Sequence, residues 1–370
     1  MERPDMRIGL LTSSRADFGI QLPLIKALQA DPRCQLDVIA FGSHLDPRFG
    51  STIAEVRASV TTSLIELPPV LVGDLPCDIA TAMGRTMEQF GSVWQQYRPD
   101  RVIALGDRYE MFAAVATTLP FGIPVAHVHG GEVTLGAIDN ALRHSISHMS
   151  DMHFTCADAY RDRVVRMLGH DTGVFNTGAL SVDNLMTLDL LSVEAIHQRF
   201  GIDLARPTVL ITYHPETVYV DRADRLWEEW ANALKVLATR YALIVTLPNA
   251  DTGGLRLRER WKELKNALPD IMTVDSLGAL GYLSCMKHAA FLLGNSSSGY
   301  VEASFLGKRV IDVGDRQTGR LVTPNIVRCP IETPAILAAT DRIEHEPAHR
   351  FPSPYGDGHA AERMVSMLLR

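Results

Sequence analysis

The chain has 370 residues, enough for two domains, and its 46% hydrophobic and 21% charged content is that of an ordinary water-soluble globular protein. A formal charge of −7, from 36 basic and 43 acidic residues, argues against general nucleic-acid affinity and leaves room for a local basic site for phosphate. The five cysteines, Cys34, Cys77, Cys156, Cys285 and Cys329, are scattered without a CxxC pair, which suits a reducing cytoplasm and argues against a structural zinc site. The opening MERPDMRIGLL has no long apolar stretch or cleavage site, and no apolar run approaches the roughly 20 residues that span a bilayer, so a cytoplasmic protein without a signal peptide or membrane anchor is expected.

Taken in order, residues 7–13 (RIGLLTS) read as a first buried strand, followed by the polar turn Ser14-Arg15-Ala16-Asp17-Phe18-Gly19 and a helix through Leu22, Ile25 and Leu28. Strands follow at 35–41, 62–66, 101–105, 123–128, 152–156 and 173–176, with helices at 51–58, 78–97 and 109–118 between them. A second series begins after Thr177-Gly178-Ala179. A helix is expected over 185–200, strands at 208–212, 242–247, 271–274, 291–293 and 309–313, a long helix at 222–240 and a last helix at 359–369. Strands alternating with helices imply parallel, doubly wound sheets, because parallel neighbours need crossover connections. The expected architecture is α/β, with two Rossmann-like domains facing across a cleft. The first spans 1–178, the second 179–355, and residues 356–370 form a C-terminal helix that could reach back onto the first domain.

In such sheets ligands sit beyond the carboxyl ends of the strands, and the chemically rich residues gather there. Arg15 and Asp17 follow the first strand, Asp107 and Arg108 the fourth, His129 and Glu132 the fifth; His214, Asn249 and Ser296 to Ser298 follow strands of the second series. Within HVHGGEVTLGAIDNALRH (127–144), imidazoles and carboxylates surround two glycines, which permit a sharp bend or close approach to a ligand. The plainer alternative makes Asp139 and Arg143 an i,i+4 helix pair and Glu132 a surface charge. GNSSSG (294–299) enters a helix expected over 300–305 and suits a phosphate, although Ser and Asn are also ordinary N-cap residues. Glu302 could bond ribose hydroxyls or simply complete the cap. NADTGG (249–254) is a polar loop, His214-Pro215-Glu216 sets an imidazole at a strand end, and Arg316 and Arg320 supply positive charge. Neither a GxGxxG fingerprint nor a GxxxxGK[ST] loop occurs, which argues against a dinucleotide dehydrogenase or P-loop NTPase. His127 and His129, at i and i+2 on a strand, point to one face, but no further ligand is evident, so no metal site is expected.

The strings TSSRADFG, GDRYEM, HGGEVTLGAIDNALRH, NADTGG, GNSSSGYVEA and GDRQTGR, in this order and over residues 7–328, resemble those of the hydrolysing UDP-N-acetylglucosamine 2-epimerases of sialic-acid-type sugar biosynthesis. The resemblance implies two Rossmann-like domains arranged as in GT-B glycosyltransferases, no metal or redox cofactor, and a UDP-sugar as substrate with UDP as a product. UDP would be eliminated from the sugar to leave a glycal, and water would add to give the free 2-epimer, N-acetylmannosamine. It further implies that Asp107, Glu132 and Asp139 are the acid/base carboxylates, with His214 also catalytic. His214, Arg108, Ser296 and Ser297 would lie by the diphosphate; Arg15, Ala16, Asn249, Leu277 through its backbone, Glu302 and Arg316 would complete the UDP contacts. Asp17, His129 and Arg143 would face the sugar. Asn140 stands where many members carry a second acid, and Phe18 where some carry tyrosine. Close relatives of the family act on UDP-N,N′-diacetylbacillosamine, which is the alternative substrate. A homo-oligomer, dimer or tetramer, is expected, with neither nucleic acid nor membrane as partner.

Overall fold

The computed structural model describes residues 6–218, 222–345 and 352–370. The chain divides into two units, the first made of Met1–Glu132, Asp139–Met186 and Pro354–Arg370, the second of Val133–Ile138 and Thr187–Ser353. The change of unit after Met186 thus falls later than the expected cut at 178, and six residues from the middle of the 127–144 stretch belong to the second unit.

Unit 1 is built on strands β1 (Met6–Thr12), β2 (Cys34–Ala40), β3 (Ser63–Glu66), β4 (Arg101–Leu105), β5 (Val125–Val128), β6 (Met152–Thr155) and β7 (Val174–Asn176). They form one parallel sheet in the order β3-β2-β1-β4-β5-β6-β7. Unit 2 repeats the plan with β8 (Thr208–Thr212), β9 (Ala242–Thr246), β10 (Met272–Val274), β11 (Phe291–Gly294), β12 (Val310–Val313) and β13 (Ile326–Cys329), all parallel, in the order β10-β9-β8-β11-β12-β13. The central strands are apolar throughout because helices cover both faces: Ile8, Leu10, Val38, Ile103 and Ala126 are buried in unit 1, and Val209, Ile211, Val245 and Leu293 in unit 2. The strand order reverses between β1 and β4 in one sheet and between β8 and β11 in the other. At such a switch point adjacent loops diverge and leave a crevice at the strands' carboxyl ends.

Two expectations are corrected, and one strand was not anticipated. The helix expected over 185–200 is two helices, Leu180–Thr187 and Val193–Phe200; Ser192 starts the second by accepting a hydrogen bond from the Ala195 amide at 3.2 Å. The helix expected after GNSSSG is a 3-10 turn, Ser297–Gly299, and a four-residue helix, Glu302–Phe305, too short for a large macrodipole. β13 carries no clear sequence pattern because IVRC is a partly exposed edge strand.

The C-terminal helix Ala360–Leu368 belongs to unit 1, where Ala360, Met364 and Leu368 join the core beside Leu24, Ile25 and Leu28 of the helix Arg15–Ala30. Its first turn is capped at a distance, with Asp183 accepting from the Ala360 amide at 3.0 Å and the Ala361 amide at 2.7 Å. The beginning of the Pro-rich segment before it, 346–351, lies outside the described residues. Among the described residues no helix is long and apolar enough to cross a membrane.

Candidate active site

The first crevice loop of unit 1 is shaped by Asp17. Its carboxylate accepts from the Thr12 hydroxyl at 2.5 Å, the Ser13 hydroxyl at 2.6 Å, the Ser13 amide at 3.0 Å and the Ser14 amide at 3.2 Å. Both oxygens are engaged and the side chain is buried, so Asp17, expected at the sugar, holds the turn after β1 as a cap. Arg15 and Ala16 open the helix beside it, Arg15 half-buried and Ala16 exposed.

At the ends of β4 and β5 the acidic residues are tied to one another through Arg143. This arginine, 2% exposed, donates from one terminal nitrogen to the backbone carbonyl of Glu132 at 2.9 Å and pairs through the other with the Asp107 carboxylate. A guanidinium forks in a plane, so a single side chain fixes the distance between the Asp107 loop and the Glu132 loop. Arg143 was expected at the sugar; its described contacts make it the brace between two carboxylate-bearing loops. Arg108, expected by the diphosphate, makes a bidentate pair with Glu110, at 3.1 and 2.9 Å, at the head of the helix Tyr109–Ala116.

His127 and His129 do not act as a pair. His127 Nε2 lies 2.7 Å from the Gly106 carbonyl, and Nδ1 lies 2.9 Å from the Ser147 hydroxyl. A carbonyl only accepts, so Nε2 carries the proton and Nδ1 takes one from Ser147. Burial pushes this imidazole down to about 3, which keeps it neutral, and it pins the residue immediately before Asp107. His129 has a φ of +65°, which turns its ring out of the strand's alternation until Nδ1 stands 3.0 Å from Glu132 Oε1. The same oxygen accepts from the Cys156 thiol at 3.0 Å. Glu132 is 3% exposed, His129 7%, and Cys156 fully buried. The bend that permits this needs Gly131, whose φ is +80° and where a Cβ would lie 2.3 Å from the Tyr160 carbonyl oxygen.

Directly after Glu132 the chain enters unit 2. The Leu135 amide donates to the Thr318 carbonyl at 3.0 Å and the Ile138 amide to the Thr217 hydroxyl at 3.0 Å. Gly136 lies so close to the 314–320 loop that a Cβ would sit 2.6 Å from the Asp315 carbonyl. Asp139 then begins the helix Asp139–His148 of unit 1, half-buried, one turn ahead of Arg143. His144, in the same helix, is held below its ordinary proton affinity by burial and by the positive charge of Arg143.

In unit 2 the crevice is organised by Asn295, which is fully buried. Its side-chain oxygen accepts from the His214 amide at 2.7 Å, its side-chain nitrogen donates to the His214 carbonyl at 2.9 Å, and its own carbonyl accepts from Gln317 at 2.7 Å and Arg316 at 3.3 Å. One asparagine therefore locks the loops after β8, β11 and β12 together. His214 lies 3.7 Å from Asp251 of the NADTGG loop, in which Asn249 is half-buried. Ser296 and Ser297 are half-buried; Ser296 accepts from the Ser298 amide at 3.3 Å, and Ser298 also meets the Tyr282 hydroxyl at 2.6 Å. Leu277 immediately precedes the helix Gly278–His288, and Glu302 is buried at the start of its short helix. Glu216 Oε1 accepts from the Asp315 amide at 2.7 Å; burial holds its proton affinity above the usual carboxylate range.

Residues that sequence reasoning did not single out are Asn295, Cys156 and Arg143 as a brace. Asn295 was inside a recognised motif, but its partner His214 is 81 positions away. Cys156 immediately follows β6, the neighbour of β5, so the strand order brings it to Glu132 across 24 positions. Chemically, unit 1 presents carboxylates flanked by donors, as proton transfer requires, and unit 2 presents amides, hydroxyls and a guanidinium, as an anionic ligand requires.

Comparison with known proteins gives a consistent result. The model of a family described as UDP-N-acetylglucosamine 2-epimerase matches residues 26–369. A Legionella pneumophila protein named UDP-N,N′-diacetylbacillosamine 2-epimerase (hydrolyzing) is 32% identical over 362 residues, covering 98% of this chain and 95% of that one. A Campylobacter jejuni protein named GDP/UDP-N,N′-diacetylbacillosamine 2-epimerase (hydrolyzing) is 35% identical over 325 residues, covering 87% and 83%. The fold matches the solved structure of a Methanocaldococcus jannaschii UDP-GlcNAc 2-epimerase in complex with UDP-GlcNAc and UDP, with a TM-score of 0.81, 18% identity, and coverage of 98% and 99%.

Proposed function

The chain belongs to the UDP-N-acetylglucosamine 2-epimerase family, and on that premise we propose that it is a hydrolysing UDP-sugar 2-epimerase whose proton chemistry is carried by Asp107, Glu132 and Asp139. The reaction has two halves. A base removes the proton on the sugar's second carbon while the bond from the anomeric carbon to the diphosphate oxygen breaks; UDP departs and a glycal with a double bond between the two carbons remains. Water then adds, its hydroxyl to the anomeric carbon and a proton to the second carbon from the other face. Free 2-epimer and UDP are the products.

Each half needs a group that can take or give a proton close to carbon, and the first needs donors for the developing charge on the diphosphate. The observation that carries the reading is Glu132, a buried carboxylate with one oxygen 3.0 Å from both the His129 imidazole and the Cys156 thiol, on a loop braced to Asp107 through Arg143. Such a group is positioned, desolvated and backed by donors that can follow its change of charge. His214, Ser296, Ser297 and Arg316 are assigned to the diphosphate, and Asn249, Leu277 and Glu302 to the nucleoside. The Asn295 network, which aligns three of the loops concerned, supports that assignment.

The substrate class is a UDP-linked 2-acetamido sugar. UDP-N-acetylglucosamine, giving N-acetylmannosamine, is one member. The 2,4-diacetamido sugar UDP-N,N′-diacetylbacillosamine is favoured by the names of the two relatives at 32% and 35% identity. Incubating the protein with each nucleotide sugar in buffer alone, without an acceptor, and following UDP release together with the NMR spectrum of the sugar tests the proposal. UDP and free 2-epimer from one of the two are expected; release only on addition of an acceptor would make the protein a transferase.

A further inference from the structure

We propose that His129, Glu132 and Cys156 form a binding site for one thiophilic divalent cation, for which Zn²⁺ is the best match, and that its occupancy inhibits the enzyme by withdrawing Glu132 from proton transfer. Binding itself stands on the geometry alone; the inhibition rests on the function proposed above.

Three observations carry the site. One ligand atom from each residue lies within 4.8 Å of the others, and all three residues are buried. In a tetrahedral zinc site the metal–sulfur distance is about 2.3 Å and the metal–nitrogen and metal–oxygen distances about 2.0–2.2 Å, so ligand atoms stand about 3.2–3.7 Å apart. The 3.0 Å separations of Glu132 Oε1 from His129 Nδ1 and from Cys156 Sγ are reached from those values by small side-chain rotations. Secondly, the His129 ring, nine-tenths buried, has no hydrogen-bond partner for Nε2 among the described residues. When a cation takes the place of the proton between Nδ1 and Glu132 Oε1, the ring proton moves to Nε2, which no other contact occupies, and Nδ1 offers the lone pair by which neutral imidazole ligates a metal. Thirdly, the donor set is soft sulfur, imidazole and one carboxylate, a combination that selects zinc over magnesium or calcium.

The charge arithmetic suits a buried position. On binding, the Cys156 thiol gives its proton to solvent and the sulfur becomes thiolate; with the Glu132 carboxylate it supplies two negative charges against the cation's two, and the imidazole stays neutral. The fourth position is left to water. Glu132 then has its accepting oxygen on the metal and no longer serves as a base. Cys156, the residue immediately after β6, is what makes this a three-ligand site.

Co²⁺ is the probe, because thiolate coordination gives it a charge-transfer band in the near ultraviolet and tetrahedral geometry gives it visible bands. Titrating the full-length protein, free of substrate, with Co²⁺ should produce these bands with one-to-one saturation, and Zn²⁺ should abolish them by displacement. Cys156→Ala and His129→Asn should each lose the bands, while Cys77→Ser, which changes an exposed cysteine, should keep them. Absence of the bands in the parent protein, or their survival in either Cys156→Ala or His129→Asn, overturns the site. The titration requires no turnover, so a protein that binds Co²⁺ but releases no UDP refutes the function and keeps the site. One that turns over without binding does the reverse. Where both hold, Zn²⁺ should reduce turnover in the parent protein, with recovery on chelation; full activity with the site occupied would refute the inhibition.

Discussion

The two sheets share a strand order and both reverse it at the centre, yet the crevices at their carboxyl ends are furnished in opposite ways. Unit 1 gathers Asp107, Glu132, His129 and Arg143, groups that carry or exchange charge, and holds each by ionic or charge-assisted contacts. Unit 2 gathers Asn295, Ser296 and Ser298 around His214, and it joins the loops after β8 and β11 with neutral amide and hydroxyl bonds. The fold determines where a site can be, and the residues after β4 and β5 or after β8 and β11 determine what it does. The proposed function assigns proton transfer to the first crevice and anion binding to the second.

The comparison breaks most visibly if the charged set can be neutralised without effect. Glu132→Gln and Asp139→Asn should each lower kcat by about 10²–10⁴-fold, the usual contribution of a general acid or base, while UDP affinity measured by calorimetry stays within about twofold of the parent. Parent-like turnover in either variant removes that residue from the chemistry; a parallel loss of UDP affinity would erase the division of labour between the units.

The opposite change is Asn295→Ala. It leaves the His214 amide and carbonyl without their buried partner, which should lower stability by about 2–3 kcal/mol and weaken UDP binding, with a smaller effect on kcat at saturating substrate. Denaturant unfolding and UDP calorimetry read both. Unchanged UDP affinity would show that the amide lock does not serve the nucleotide.

Much of this was legible in the sequence, and the exceptions have physical causes. RIGLLTS, RVIAL and TVLIT read as strands because a central strand covered on both faces is a continuous apolar run, and the observed β1, β4 and β8 match them to within a residue. β13 has one face partly open, so its four residues show no such run. The strand-end residues were found because the doubly wound topology directs attention there. What they touch was not. His129 turns to Glu132 only through a positive φ, which strand alternation does not anticipate, and Arg143, read as an i,i+4 partner of Asp139 or as a sugar contact, is tied to Asp107 and to the Glu132 backbone, contacts that spacing does not reveal. Cys156, counted as one of five scattered thiols, meets Glu132 because β5 and β6 are neighbours, a pairing that neither spacing nor composition reveals.

A smaller, pH-dependent effect sharpens the picture of unit 2. Asp312, buried on β12 and hydrogen-bonded by the Tyr300 hydroxyl at 2.6 Å, is pushed up to about 6 by burial, from an ordinary 3.8. Between those values the folded protein keeps a proton that the unfolded chain has released, so the Asp312 contribution to stability falls as pH rises through that window and levels off above it. Asp312→Asn cannot lose a proton, and its oxygen can still accept from Tyr300. Its stability relative to the parent should therefore increase from about pH 4 to about pH 6 in denaturant titrations. A constant difference over that range would mean that Asp312 is ionised throughout.

The central claim, elimination followed by hydration, is tested most directly by running the reaction in D₂O and examining the released sugar by NMR. Removal of the proton on the second carbon and its later return from solvent predict one deuterium at that carbon, in a sugar of inverted configuration there, for every UDP released. UDP accompanied by a sugar that keeps its original hydrogen and configuration at the second carbon would show simple hydrolysis and contradict the account.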